Sequence, residues 1–252
     1  MEQAMQEALI RLVTPIADDE WIVGHRGSEW LGLAPELEED LAFSSIHQDE
    51  MGHALFFYEL LHALGAPDPD RQVYARPAEA WRNACFVEMP NGDWAATVVR
   101  RYCYEVFDRL RLDALTAVGF PPLRDGLKKI QREEAYHLKH FQLWMELLAN
   151  GGEEARHRLD AALAAVWPTL PDLFGWGLGE AETTALGLPS ARALKDAWVR
   201  EVRPRFESWH LSWPNDPPSA SWNGREGAHT PHLSELLNTM RAVRELAPDA
   251  PW

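Results

Sequence analysis

The chain has 252 residues, 46% apolar and 25% charged, a balance that excludes a disordered polypeptide and suffices to bury a full core. Its 39 Asp and Glu against 24 Lys and Arg leave a formal charge of -15, which argues against nucleic acid or an anionic membrane as main partner. Two cysteines, Cys85 and Cys103, support neither a disulfide framework nor a cysteine-type zinc site and fit a reducing cytoplasm, and no apolar run reaches the roughly 18 residues that span a bilayer.

Helical periodicity dominates up to about residue 173. The N-terminus, MEQAMQEALIRL, reads as amphipathic helix and not as a signal peptide. A first helix is expected from near Met1 to Val23, ended by Gly24, Gly27, Gly32 and Pro35, and a second from Pro35 to Leu64, stopped by Gly65 and Pro67. Residues 67–94 read as a connector with a short helix around Pro77 to Ala84 and a turn at Asn91-Gly92. A third helix follows from Trp94 to Val118. The fourth runs from Pro121 to the Asn150-Gly151-Gly152 stop, and a fifth from Glu153 to Phe174. No stretch alternates convincingly, so the expected fold is all-α: a four-helix bundle core with short connections. Beyond residue 175 one helix is expected over Ser190 to Val202 and a last one over Ser234 to Leu246. The Pro- and Trp-rich arm between them, Arg203 to Leu233, reads as an extended segment packed on the bundle surface; the alternative is a clasp on another subunit. The whole is taken as one domain, 1–174 forming the bundle core and 175–252 an extension packed on it.

Two segments share a pattern, Glu50-Met51-Gly52-His53 and Glu134-Ala135-Tyr136-His137. Residues i and i+3 leave a helix from one face, so each pair can grip a metal ion. Ferritin-like di-metal carboxylate proteins use this Glu-x-x-His on two helices and one carboxylate from each of two others. Glu20 and Glu105 stand at matching distances, 30 and 29 residues before Glu50 and Glu134. The spacing alone is weak, because Glu59/His62, Glu154/His157, Glu207/His210 and Glu226/His229 repeat it, and Glu29 with Glu59 offers a competing register. Helical faces decide: Glu50 and His53 align with Phe43, Ile46, Phe57 and Leu61, and Glu134 with His137 aligns with Leu127, Ile130, Phe141 and Met145. Glu59 lies about half a turn away. Four carboxylates pointing into an apolar interior repel unless cations sit among them, and mixed carboxylate and imidazole donors suit iron or manganese. Surface Glu–His pairs with fortuitously aligned apolar neighbours are the competing reading. Arg101, Asp108 and Arg109 flank Glu105; Asp108, with Arg101 as counter-ion, is a candidate for orienting a ligating imidazole, an ion pair at the bundle end being the alternative. His47 and His140 lie off the motif faces and read as non-ligands, and Tyr102, Tyr104 and Tyr136 as core packing.

Carrying these motifs, the chain resembles the ferritin-like subunits of the bacterial phenylacetyl-CoA epoxidase (ring 1,2-oxygenase), the C-type in particular, over nearly its whole length. The landmarks are Asp19-Glu20, Gly24-His25-Arg26, Ser28-Glu29-Trp30, Ala34-Pro35, the run Val87 to Asp93, Tyr136-His137-Leu138, Trp167-Pro168, Leu173-Phe174, Gly227-Ala228-His229-Thr230 and His232-Leu233. C-type subunits usually lack the first Glu-x-x-His and serve as structural partners of a catalytic A-type subunit. Here Gln48 to His53 looks like the A-type motif. The resemblance therefore implies A-type ligands at Glu20, Glu50, His53, Glu105, Glu134 and His137, with Glu at 105 in place of the usual Asp. It further implies a di-iron centre, manganese being the other possibility, that adds one atom of O2 across the ring of phenylacetyl-CoA. The setting it implies is a cytoplasmic homo- or hetero-oligomer with other epoxidase components and the A-type subunit. NADPH electrons would come from a separate reductase, since the chain has no Gly-x-Gly-x-x-Gly and too few cysteines for an iron–sulfur cluster. A scaffold role within the complex and a stand-alone di-metal oxidase on another substrate are the competing functions.

Overall fold

The computed structural model describes residues 3–215 and 222–247. Helices α1 (Gln3–Ser28) and α2 (Leu37–Ala63) form one hairpin, and α5 (Trp94–Leu115) and α6 (Pro121–Asn150) a second. Between them the chain crosses over through α3 (Pro69–Tyr74), a 3₁₀ turn at Ala78–Ala80 and the short α4 (Cys85–Glu88). After the bundle come α7 (Glu153–Val166), α8 (Glu180–Ala185), α9 (Ala191–Ser208) and α10 (Pro231–Leu246). No strand occurs among the described residues, where the one isolated bridge pairs Asn223 with Ala228. The fold is all-α, a bundle of the ferritin-like type. No helix of the described residues is long and apolar enough to cross a membrane.

The bundle boundaries follow local chemistry. Asp93 accepts from the Ala96 amide at 2.9 Å and caps α5, while Pro121 at the first turn opens α6 and Pro231 opens α10. The core is one continuous apolar cluster that includes Leu12, Val13, Ile16, Phe57, Leu61, Leu112, Leu127 and Phe141. Each such side chain contributes about 1.5–3 kcal/mol on burial.

Three departures from the sequence reading have physical reasons. Helix α1 runs five residues past Val23, through Gly24 and Gly27. Those glycines serve close packing instead of ending the helix: a Cβ on Gly27 would sit 1.6 Å from His47 Cδ2, and one on Gly24 2.8 Å from Met51 Sδ. Helix α9 continues through Pro204 to Ser208, sacrificing one backbone bond. Beyond that proline, Phe206 and Trp209 are buried in an aromatic cluster with Tyr102, Trp167 and Trp213. Helix α8, only six residues long, carries too little periodicity to be expected from sequence.

The described parts of the arm lie against the bundle. The Trp213 ring sits 4.9 Å from that of Trp167, and on α9 Trp198 donates its indole N–H to the Cys103 carbonyl of α5 at 2.9 Å. Residues 216–221 of the arm fall outside the described part.

Candidate metal centre

All six sequence candidates meet between the four long helices. Glu20 comes from α1, Glu50 and His53 from α2, Glu105 from α5, and Glu134 and His137 from α6, each at most 2% exposed. Their donor atoms form two overlapping sets, Glu20, Glu50, His53 and Glu134 in one, Glu50, Glu105, Glu134 and His137 in the other. Within each set all donor atoms lie within 4.8 Å of one another. Glu50 and Glu134 belong to both. Both imidazoles turn Nδ1 inward: His53 Nδ1 is 3.2 Å from Glu134 Oε1, and His137 Nδ1 is 3.1 Å from the same oxygen and 3.5 Å from Glu50 Oε1.

Burial makes this arrangement costly. Two ionised carboxylates about 4 Å apart repel by about 4 kcal/mol at an effective dielectric of about 20. Part of that charge is met internally. Arg101 ion-pairs with Glu50 and Glu105, and Arg111 donates to Glu20 Oε1 at 2.7 Å. Burial raises Glu50, but the Arg101 guanidinium and both imidazoles outweigh it and hold that carboxyl well below its ordinary range. Glu134 is raised by burial and by Glu50, yet the two imidazoles bring it down to about 2. Burial, with neighbouring carboxylates, pushes Glu20 and Glu105 well above the usual carboxylate range. His137, despite burial, is raised to about 11 by Glu134 and Glu50.

The compensation is incomplete. Glu20 Oε2, Glu50 Oε2, both oxygens of Glu105, Glu134 Oε2 and His53 Nδ1 are buried without a hydrogen bond. Unpartnered donor atoms converging from four helices fit a pair of cations, and the oxygen and imidazole chemistry fits iron or manganese.

The outward nitrogens meet acids that the sequence reading missed. His53 Nε2 is 3.0 Å from Glu133 Oε2, and His137 Nε2 is 3.4 Å from Asp49 Oδ2. Each acid directly precedes the motif glutamate on the opposite helix, so Asp49-Glu50-x-x-His53 and Glu133-Glu134-x-x-His137 serve each other crosswise. The signal was present as an acid one residue before each motif. Asp108 does not take this orienting role. It accepts from Arg111 Nε at 2.7 Å, and burial lifts it to about 7. Arg111 also donates to Asp19 at 2.6 Å and to Tyr104 at 2.9 Å, and Tyr104 donates to Glu20 at 3.0 Å. Asp19 in turn accepts two bonds from Arg225, tying the C-terminal segment to the centre. A groove of about 480 Å³ between α2 and α6 runs just outside the centre, past Ile46, Asp49, Glu133, Tyr136 and His137.

Other candidates fall outside. Arg109 faces the surface, paired with Asp113 and Glu201. Tyr136 is 78% exposed and lines the groove, contrary to the core role expected; Tyr102 and Tyr104 are buried. His47 donates its Nδ1–H to the Phe43 carbonyl and is pushed down to about 3 by burial and Arg101, while His140 pairs with Glu39. Glu59 is exposed, as are Glu154 and His157, and Glu29 bonds Arg26, which removes the competing register. A further trio, buried Cys85 and Glu88 with half-buried His229, has metal-like spacing. Its donors are spent: Glu88 accepts from Asn83 at 2.9 Å, from His229 at 2.8 Å, and from the Thr230 amide and hydroxyl at 2.7 Å each. His229 Nε2 faces the Trp81 carbonyl at 3.0 Å.

Fold and donor set together define a ferritin-like bundle with a buried carboxylate–histidine centre able to hold metal. The chain belongs to the phenylacetic acid catabolic protein family, which matches residues 1–252 and places it in phenylacetate catabolism. It is 29% identical over 239 residues to the C subunit of the 1,2-phenylacetyl-CoA epoxidase of Escherichia coli (strain K12), covering 94% of this chain and 96% of that protein. To the A subunit of the same epoxidase it is 25% identical over 177 residues, 69% of this chain and 56% of that protein.

Proposed function

We propose that the chain is a C-lineage member of a cytoplasmic phenylacetyl-CoA epoxidase complex that retains a metal-competent di-iron centre and works beside an A-type subunit. The observation that carries this reading is the pair of overlapping four-donor sets sharing Glu50 and Glu134, with oxygens left unpartnered in the bundle interior. Glu20 and His53 would hold one ion and Glu105 and His137 the other, Glu50 and Glu134 contacting both. When bound, the iron pair supplies O2 activation, one oxygen atom going to the ring of phenylacetyl-CoA and the other leaving as water with two electrons from NADPH, through a separate reductase, and two protons.

The protein's own residues prepare that chemistry. Asp49 and Glu133 fix the tilt of His137 and His53 and hold protons on their outer nitrogens, so that Nδ1 stays turned inward. Phe43, Ile46, Phe57, Leu127 and Phe141 exclude water around the donors. The α2–α6 groove is the approach for the aromatic group, ending on His137. Residues 1–174 act as the bundle and 175–252 as its clamp, one ferritin-like unit, a reading supported by the Arg225–Asp19 bonds.

Reconstitution with an A-type partner and reductase tests the proposal through iron content and phenylacetyl-CoA-dependent O2 uptake. Glu50→Ala is expected to strip iron from this chain and lower turnover. A scaffold role is the second reading, favoured by the fuller match to the epoxidase C subunit than to its A counterpart and by the arginines already neutralising the centre. Unchanged turnover in Glu50→Ala would establish that alternative.

A further inference from the structure

The two halves of the centre differ in how an arginine meets them. Arg111 approaches the His53 half from behind. Its Nη2 donates to Glu20 Oε1 at 2.7 Å and to Tyr104 at 2.9 Å, while Nε and Nη1 are anchored by Asp108 and Asp19. The guanidinium is thereby kept outside the donor set, and Glu20 Oε2 remains unpartnered, 3.7 Å from His53 Nδ1. Arg101 stands within the other half. Its Nη2 contacts Glu50 Oε1 and Glu105 Oε1, oxygens of two of the three carboxylates grouped with His137. Buried though it is, its Nε and Nη1 make no hydrogen bond; besides those carboxylates it rests on the Phe141 and Tyr104 rings, 5.0 and 5.8 Å from their centroids. Glu50 Oε2, the oxygen Arg101 leaves free, lies 3.7 Å from His53 Nδ1 on the first half's side.

We propose that Arg101 is the resident cation of the His137 half, so that the centre loads metal in two unequal steps. A first divalent ion enters among Glu20, Glu50, His53 and Glu134; a second enters among Glu50, Glu105, Glu134 and His137 only as the Arg101 guanidinium is displaced. A guanidinium and a dication cannot share the same two carboxylate oxygens in a water-poor interior without strong repulsion, and the missing hydrogen bonds on Nε and Nη1 leave Arg101 lightly held. Arg111, held by Asp108, Asp19, Tyr104 and Glu20, has no such freedom. The inference rests on the metal-centre reading above and concerns its order of filling.

Manganese titration of the purified chain, followed by equilibrium dialysis and electron paramagnetic resonance, reads the order directly. One ion with an isolated six-line spectrum is expected at the tight step, and a spin-coupled pair only at free manganese about tenfold higher or more. Arg101→Gln should bring the second step toward the first, and Arg101→Lys, which keeps the charge without the planar fork, should fall between. His137→Ala should remove the second step alone, and His53→Ala the first. These two histidine variants decide the matter even if Arg101→Gln fails to fold. Equal steps in the unaltered chain, an unchanged second step in folded Arg101→Gln, or loss of the first step in His137→Ala each overturn the proposal. Absence of any bound manganese overturns the metal-centre reading together with it, whereas equal steps leave that reading standing.

Discussion

The bundle centre and the clamp around Glu88 are built from the same residue types at similar depth, yet they deal with buried charge in opposite ways. At Glu88 each carboxylate oxygen accepts two hydrogen bonds, and both nitrogens of His229 face acceptors. In the centre, oxygens of Glu20, Glu50, Glu105 and Glu134 are left without any. A saturated cluster holds chain segments together; an unsaturated one keeps lone pairs for something that is not protein. Metal-like spacing is common to both, so hydrogen-bond saturation, and not proximity, distinguishes a ligand set from a staple.

The largest expected effect breaks this contrast at Glu134, which belongs to both donor sets. Glu134→Ala should reduce bound metal to background as measured by elemental analysis, while Glu88→Ala leaves it unchanged. Metal kept by the first variant, or lost from the second, would reverse the two assignments. Stability should show the mirror image. Removing Glu88 strands a buried imidazole and the Asn83 and Thr230 donors, a loss of about 3–5 kcal/mol in denaturant unfolding. An unfolding curve superimposable on that of the unaltered protein would show that the clamp carries no stability.

A smaller effect belongs to the acids behind the imidazoles. Asp49→Ala and Glu133→Ala free the outer nitrogens of His137 and His53, and each should weaken metal binding by about ten- to a hundredfold without abolishing it. Equal affinity in both variants would mean that packing alone orients the rings.

What the sequence disclosed and what it concealed follow from the range of each interaction. The four long helices and the convergence of the six candidate side chains were legible because periodicity places Glu50, His53, Glu134 and His137 on apolar faces, an arrangement that surface pairs such as Glu154 and His157 do not share. Arg101 is placed on the face of Glu105 by the sequence, but as counter-ion to Asp108 instead of partner to Glu50 and Glu105, and Arg111 is not singled out. A long cationic side chain on a helix looks the same whether it reaches water or turns inward, and their partners Glu50, Asp19 and Glu20 lie on other helices. Gly24 and Gly27 misled because a glycine that admits a neighbouring side chain is spelled like one that ends a helix. Several motifs that carry the family resemblance are joints: Asn91 donates to the Arg26 carbonyl at 2.7 Å, and the His229-Thr230 pair closes on Glu88. Such long-range partners leave no periodic trace.

The smallest expected effect sharpens the comparison through pH. His229 is opposed by burial, yet the Glu88 carboxylate and the Trp81 carbonyl favour its imidazolium and raise it above its ordinary value. Glu88, also opposed by burial, is held below its ordinary value by His229 and Thr230. A raised imidazole contributes stability that is complete below its unfolded value, about 6.5, and fades as pH climbs through the folded one. A depressed carboxyl contributes stability that is complete above its unfolded value, about 4.3, and fades as pH falls through the folded one. The pair therefore contributes most between about pH 4.3 and 6.5. His229→Gln should cost about 2 kcal/mol near the middle of that window and less on either side, as read from melting of both proteins across the range. A cost independent of pH would assign His229 to shape alone, since glutamine can still donate to Glu88 but carries no charge to lose.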